Sequence, residues 1–269
     1  MASSYDAMAY IANDETHLNT VYSNGTARMV LIETIASMDE IGSATLDCRD
    51  IIYYHDELDM LMGTDMSAAK FIAGYAGLNV YNIHNLYTLM SSASNAEAIL
   101  ANDQAFDLLL RYLLPANLFA GSISAVTTLT KPEYLDNRLV QAVESYIFMF
   151  EIANSQTAMN PIATNRDVMM VVAYSENAMS AIAKSQNGMA GVIGNTTALG
   201  IIVESAIARD KIIIEEVGLN AMINNDASWE AIKNNDFWID AILANEIASG
   251  IFFRNPRAWE LILSSELLQ

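Results

Sequence analysis

The densest set of groups able to do chemistry lies in YYHDELDM, Tyr53 to Met60, which holds His55, Asp56, Glu57 and Asp59. On a helix His55 and Asp59 stand at i and i+4 on one face, a spacing that suits two metal ligands. The other histidines, His17 and His84, are distant in sequence, so the tract reads as an exposed acidic helix flank. Cys48 is the single cysteine, which excludes an internal disulfide, and with no histidine nearby to take its proton it reads as a packed thiol. Glu215 and Glu216 are adjacent carboxylates that could pair as acid and base. They stand at the start of a helical unit, where negative charge favours the positive end of the helix dipole. GMAGVIG, Gly188 to Gly194, has the look of a phosphate loop, and Met149, Met159, Met169, Met179 and Met189 form a stripe of thioethers of the kind copper prefers. Three tryptophans, Trp229, Trp238 and Trp259, gather near the C-terminus with Phe237, Phe252 and Phe253.

What positions these residues is a decapeptide repeated from Ser145 onward: SYIFMFEIAN, SQTAMNPIAT, NRDVMMVVAY, SENAMSAIAK, SQNGMAGVIG, NTTALGIIVE and so on to the C-terminus. The first position is Ser or Asn in 11 of 12 units and the eighth is apolar in all 12, so the repeat has a cap and a core. Positions 1, 4, 5 and 8 fall on one helical face. Ser and Asn are favoured N-caps because their oxygens accept from the free amides of the first turn. One continuous helix is excluded: ten residues fall about 80° short of three full turns, so its apolar face would spiral out of any core. Each unit is therefore expected to be a two-turn helix ended by a bend and stacked on its neighbours, an all-α solenoid. The Met stripe and the three glycines, at positions 4, 7 and 10, then read as core and close packing. Pro161, at position 7, is expected to break or kink its helix.

Within this frame Trp229 and Trp259 take the core fifth position. Trp238 sits where small residues are usual and Phe237 where polar ones are frequent, so these two are the candidate partner interface, with a terminal cap as the alternative. No residue is assigned a catalytic, cofactor-binding or metal-binding role, no cofactor is expected, and no enzyme activity is expected for want of a nucleophile with its base and orienting group.

From Ser4 the frame runs in weaker form, beginning with SYDAMAYIAN. Residues 1–103 are expected to be a degenerate array and 145–269 a regular one, joined by an elbow of longer helices over 104–144. In the elbow Pro115 is expected to end a helix, GSISAVTTLT (Gly121 to Thr130) to be a loop, and Thr130, Pro132 and Glu133 to open a helix reaching about Ile152.

The formal charge of −19 repels phosphate backbones and anionic bilayers, which argues against a nucleic-acid partner and favours neutral or basic protein partners. No apolar run approaches the roughly 18 residues of a membrane span, so no membrane insertion is expected. No basic stretch followed by an apolar core marks a signal peptide.

The unit S-x-x-A-M-x-x-I/V-A-x, clearest in SQTAMNPIAT and SENAMSAIAK, resembles the Ala-Met decapeptide arrays of tail-fibre and other virion structural proteins of tailed bacteriophages. The resemblance covers about 125 residues well. It implies a non-enzymatic virion component that is oligomeric, contacts other virion proteins and has no small-molecule substrate. No trimeric β fibre region or adhesin tip accompanies it, which directs the expectation to fibre attachment, baseplate, collar or capsid decoration. The alternative is a helical-repeat interaction scaffold in the bacterial cytoplasm.

Overall fold

The computed structural model describes Phe71, Leu86, Tyr87 and residues 89–259 except 234. The chain divides into two compact units, Met1–Leu109 and Leu110–Gln269. Helices α1 (Ala93–Ala101) and α2 (Asp103–Arg111) open the described run, α2 crossing the division. The second unit continues with α3 (Leu113–Ala120) and α4 (Ile123–Leu129). Next comes α5, which is π-helical over Leu135–Leu139 between α-helical Pro132–Tyr134 and Val140–Glu144. Then follow α6 (Tyr146–Asn154), α7 (Gln156–Thr164), α8 (Arg166–Ala173), α9 (Glu176–Lys184), α10 (Gln186–Ile193) and α11 (Thr196–Glu204). The run closes with α12 (Ala206–Ile213), α13 (Glu216–Asn224), α14 (Asp226–Lys233), α15 (Asp236–Ala244) and α16 (Glu246–Arg254). Among the described residues there is no strand.

The rule of assembly is simple. Each helix packs on the third helix after it: α6 on α9, α9 on α12 and α12 on α15, then likewise α7, α10, α13 and α16, and α8, α11 and α14. Three helices complete one turn of the solenoid. Between helices the chain turns at a single extended residue, such as Ser145 (φ −88°, ψ 106°) or Ser185 (φ −103°, ψ 127°). Positions 4 and 8 are buried in every unit from Ser145 onward in which they are described. Met149, Met159, Met169, Met179 and Met189, at position 5, are at most 1% exposed and fill the space between turns.

Small residues are favoured at position 4 because both the preceding helix and the turn below come close there. A Cβ on Gly188 would stand 3.2 Å from the Cβ of Ala153, and one on Gly218 would stand 3.3 Å from that of Ala183. Both partners are position 9 residues one turn below. Gly191 packs still closer, since an added Cβ would lie 2.9 Å from Met159 Cβ. GMAGVIG is thus helix α10 with its corner, and its glycines serve packing.

The corner serine has two jobs. A short helix leaves its first amides and last carbonyls without intrahelical partners. Ser185 Oγ accepts from the Gly188 amide at 3.1 Å and donates to the Ala153 carbonyl of the turn below at 2.8 Å. Ser175 does the same with Ala178 and Val143, Ser205 with Ala208 and Ala173, and Ser155 with Ala158 and Ala120. Asn165 splits the work, Oδ1 accepting from Val168 and Nδ2 donating to Thr130. Position 3 adds a second link, as Asn177 and Asn187 donate to the carbonyls of Glu144 and Asn154 at 2.7 Å. One hydroxyl therefore caps its own helix and ties two turns together.

Ser185→Ala leaves an amide and a carbonyl unmet at a corner that is 4% exposed. Its expected cost is about 1–3 kcal/mol in urea denaturation. Ser185→Asn, which can make both bonds as Asn165 does, is expected to lose less.

These links also measure the register. Those made by Ser175, Ser185 and Ser205 reach back 32 residues, whereas those of Ser145 (to Leu110), Ser155 and Asn165 reach back 35. The three additional residues lie in α5, where the helix widens to a π turn.

Several expectations for 104–144 need correction. Helices start at Asp103, Leu113 and Ile123, so the ten-residue spacing persists where the sequence frame is lost. GSISAVTTLT is helical over Ile123–Leu129, with the Ser122 hydroxyl accepting from Ala125; burial of Ala125, Val126 and Leu129 outweighs the weak helix preference of its β-branched residues. Pro115 stands in the first turn of α3, where no amide is needed, and ends nothing. The helix opened by Pro132 stops at Glu144, because Ser145 caps a new one. Pro161 lies inside α7, which runs on to Thr164. The carbonyl that loses its partner there belongs to Thr157, an exposed residue.

Candidate functional site

Cys48, His55 and the acidic tract from Tyr53 to Met60 lie outside the described residues, as does most of the array expected over 1–103. Among the described residues no group of three or more His, Cys, Asp or Glu side chains is arranged to hold a metal. Glu215 caps α13 without a side-chain hydrogen bond and faces Lys184 at 3.6 Å, and Glu216 begins that helix. Every residue of the Met stripe is buried, with no thioether exposed for a soft metal.

Between α7 and α10 lies a groove of about 310 Å³, lined by Gly191 and Gly194 on one side and Gln156 and Asn160 on the other. A second, of about 400 Å³, follows between α10 and α13. Both are furrows between adjacent turns, the first lined by glycine and alanine and the second by Ala190 and Ala221 with larger neighbours.

Charged side chains link turns across the outside. Lys211 Nζ lies 2.9 Å from Glu176 Oε2, and Arg257 Nη2 lies 2.6 Å from Asp226 Oδ1. The Lys211 ammonium, by hydrogen bond and by charge, holds the Glu176 carboxyl below its ordinary range. The contact is therefore complete above the usual glutamate range and fades as pH falls through the lowered value. Exposed pairs of this kind contribute little to stability.

The aromatic cluster is where structure and expectation part most clearly. Trp229 is 4% exposed, as position 5 requires. Trp238 is 1% exposed and is core, which corrects its assignment to a partner interface. Its indole Nε1 donates to the Val203 carbonyl at 3.0 Å, the position 9 carbonyl of the turn below. In this unit Asn235 makes no side-chain cap, so the indole N–H takes over the link that a corner serine makes elsewhere. Asn235 Oδ1 is left buried without a partner. Nothing in the sequence marked this exchange, since a large residue at a small position is as readily read as surface.

Phe237 is 77% exposed, and it is not alone. Ile247, Leu243 and Phe253 are 61%, 51% and 42% exposed, and Trp259, expected in the core, is 47% exposed. The rings of Phe253 and Trp259 stand 6.0 Å apart, and Trp259 Nε1 donates to the Phe253 carbonyl at 3.0 Å. The last described turn thus carries an apolar surface. No described helix is long and apolar enough to cross a membrane. No protein-family model matches the chain, and no curated protein matches it.

Proposed function

We propose that this protein is a structural or adaptor component that binds other proteins through the outer surface of its helical solenoid, and that it serves as a non-enzymatic part of a tailed-phage particle. The observation that carries the binding reading is the apolar surface of the last described turn. Phe237, Leu243, Ile247, Phe253 and Trp259 are all exposed there, and a group of exposed apolar side chains of this size marks a protein-binding surface. The virion part of the reading is supported by the Ala-Met decapeptide itself and not by the fold, which a bacterial scaffold would share.

The test is mass spectrometry of particles purified through a density gradient, from a lysate in which the chain is expressed. Recovery in the particle band at a fixed ratio to the capsid protein is expected. Recovery only in the soluble fraction would overturn the virion reading and leave the intracellular scaffold.

A further inference from the structure

Asparagine followed by glycine is the dipeptide most prone to cyclise, because glycine has no Cβ to shield its nitrogen. The sequence holds two such pairs, Asn24–Gly25 and Asn187–Gly188, and the second lies in the first turn of α10. In the reaction the Gly188 nitrogen loses its proton to hydroxide and attacks Asn187 Cγ. The bond from Cγ to Nδ2 breaks and ammonia leaves, closing a cyclic imide. Water then opens the ring at either carbonyl. The product is aspartate, or isoaspartate, in which the main chain runs through the side-chain carboxyl and gains a methylene.

The fold opposes each step. The Gly188 amide donates to Ser185 Oγ at 3.1 Å, so its proton is committed. The residue is buried, with the Ile182 carbonyl and the Ala153 Cβ standing 3.1 and 3.2 Å from where a Cβ would be. Asn187 Nδ2 donates to the Asn154 carbonyl of the turn below at 2.7 Å, which holds the side chain away from the Gly188 nitrogen. Helical ψ at Asn187 also keeps that nitrogen out of line with Cγ. These restraints belong to one corner, between α9 and α10, and are lost together when it opens.

The two products differ in what they allow. Aspartate suits this place: Asp167 stands at the same position of α8, where a carboxylate favours the helix start. Isoaspartate does not. Its additional methylene moves the amides of Gly188 and Met189 out of register with Ser185, whose hydroxyl and carbonyl accept from them.

We propose that Asn187 is a modification site unlocked by opening of this corner, and that isoaspartate formed there keeps the corner from closing again. Prolonged opening thereby leaves a covalent mark in the middle of the array. This holds whether or not the chain belongs to a virion.

Ageing the 269-residue chain in mildly alkaline buffer, with and without urea, tests this. Mass spectrometry of the tryptic peptide Ser185–Arg209, with fragmentation that separates aspartate from isoaspartate, follows the conversion. In urea Asn187 should convert at the rate of Asn24. In the folded chain it should convert at least about 10-fold more slowly, because the rate scales with the open fraction. After dilution from urea, chains with asparagine or aspartate at 187 should regain the original urea midpoint, and those with isoaspartate should show a lower one. Asn187→Gln, whose longer side chain closes a larger ring slowly, should refold fully after the same ageing although Asn24 still converts. Equal conversion in folded and unfolded chains would overturn the gating. Isoaspartate chains that regain the original midpoint, or an equal loss of refolding in Asn187→Gln, would overturn the lock.

Discussion

Replacing Ile182 by Asp is expected to unfold the second unit of the chain. Ile182 is fully buried at position 8 of α9, a helix that packs against α6, α8, α10, α12 and α13. Its backbone carbonyl accepts from the Ser185 amide, so the corner after it shares its position. An unpaired carboxylate there costs several kcal/mol on top of the lost burial, against a typical total of about 5–15 kcal/mol. In a solenoid each turn leans on its neighbours, and a failed central turn removes support from both sides. Far-UV circular dichroism during urea titration would show the folded baseline lost or the midpoint moved close to zero. Ile182→Val, which keeps an apolar side chain, should cost only about 0.5–1.5 kcal/mol. A stable Ile182→Asp protein would mean that position 8 does not face the core.

Trp238→Ala is expected to be the next most damaging change. It empties the space of the largest fully buried side chain and removes the donor to the Val203 carbonyl. Large-to-small replacement of a buried tryptophan costs about 3–5 kcal/mol, and an unmet buried carbonyl adds about 1–3 kcal/mol. Trp238→Phe retains most of the volume and should show mainly the second loss. A distinctive consequence is rescue. Adding Asn235→Ser to Trp238→Ala restores the S-x-x-A pattern of the regular units, and a hydroxyl at 235 can then link to the Val203 carbonyl as Ser185 links to Ala153. Part of the lost stability should return in calorimetry. No recovery would show that the indole bond is not the counterpart of the serine link.

The repeat period was legible in the sequence because helix caps and core residues are local requirements. Ser or Asn at position 1 marks where a helix must start, and the spacing of positions 4, 5 and 8 marks the face it must bury. Those two facts excluded a continuous rod and led to two-turn helices. They also absorbed the methionine stripe and the glycines of α10 into packing. The frame was lost over 104–144 for an equally local reason. Tyr112 and Lys131 stand at helix starts without side-chain caps, and three additional residues in α5 shift the phase. A pattern read by fixed steps of ten cannot follow a slip that a π turn absorbs.

The surface was less legible. Phe237 was identified by its residue type at an outward position, and it is outward. Trp238, beside it, turned inward because the turn below offered a carbonyl that its own unit had no serine to meet. Trp259, at a position that is core in earlier units, is exposed, since position 5 is buried by neighbouring turns and not by its own helix. Burial in this fold is decided some 30 residues away along the chain, beyond what any one decapeptide encodes.

By itself, then, the sequence determined that the chain is cut into capped helices of two turns, with one face for the core and small residues for close approach, since capping and helical periodicity operate within ten residues. Only the tertiary structure decided that three such helices make a turn, that each corner hydroxyl also ties its turn to the one below, and which aromatic residues are left facing outward. Those depend on carbonyls and side chains contributed by helices three and four units apart, and they come into being only when the turns stack.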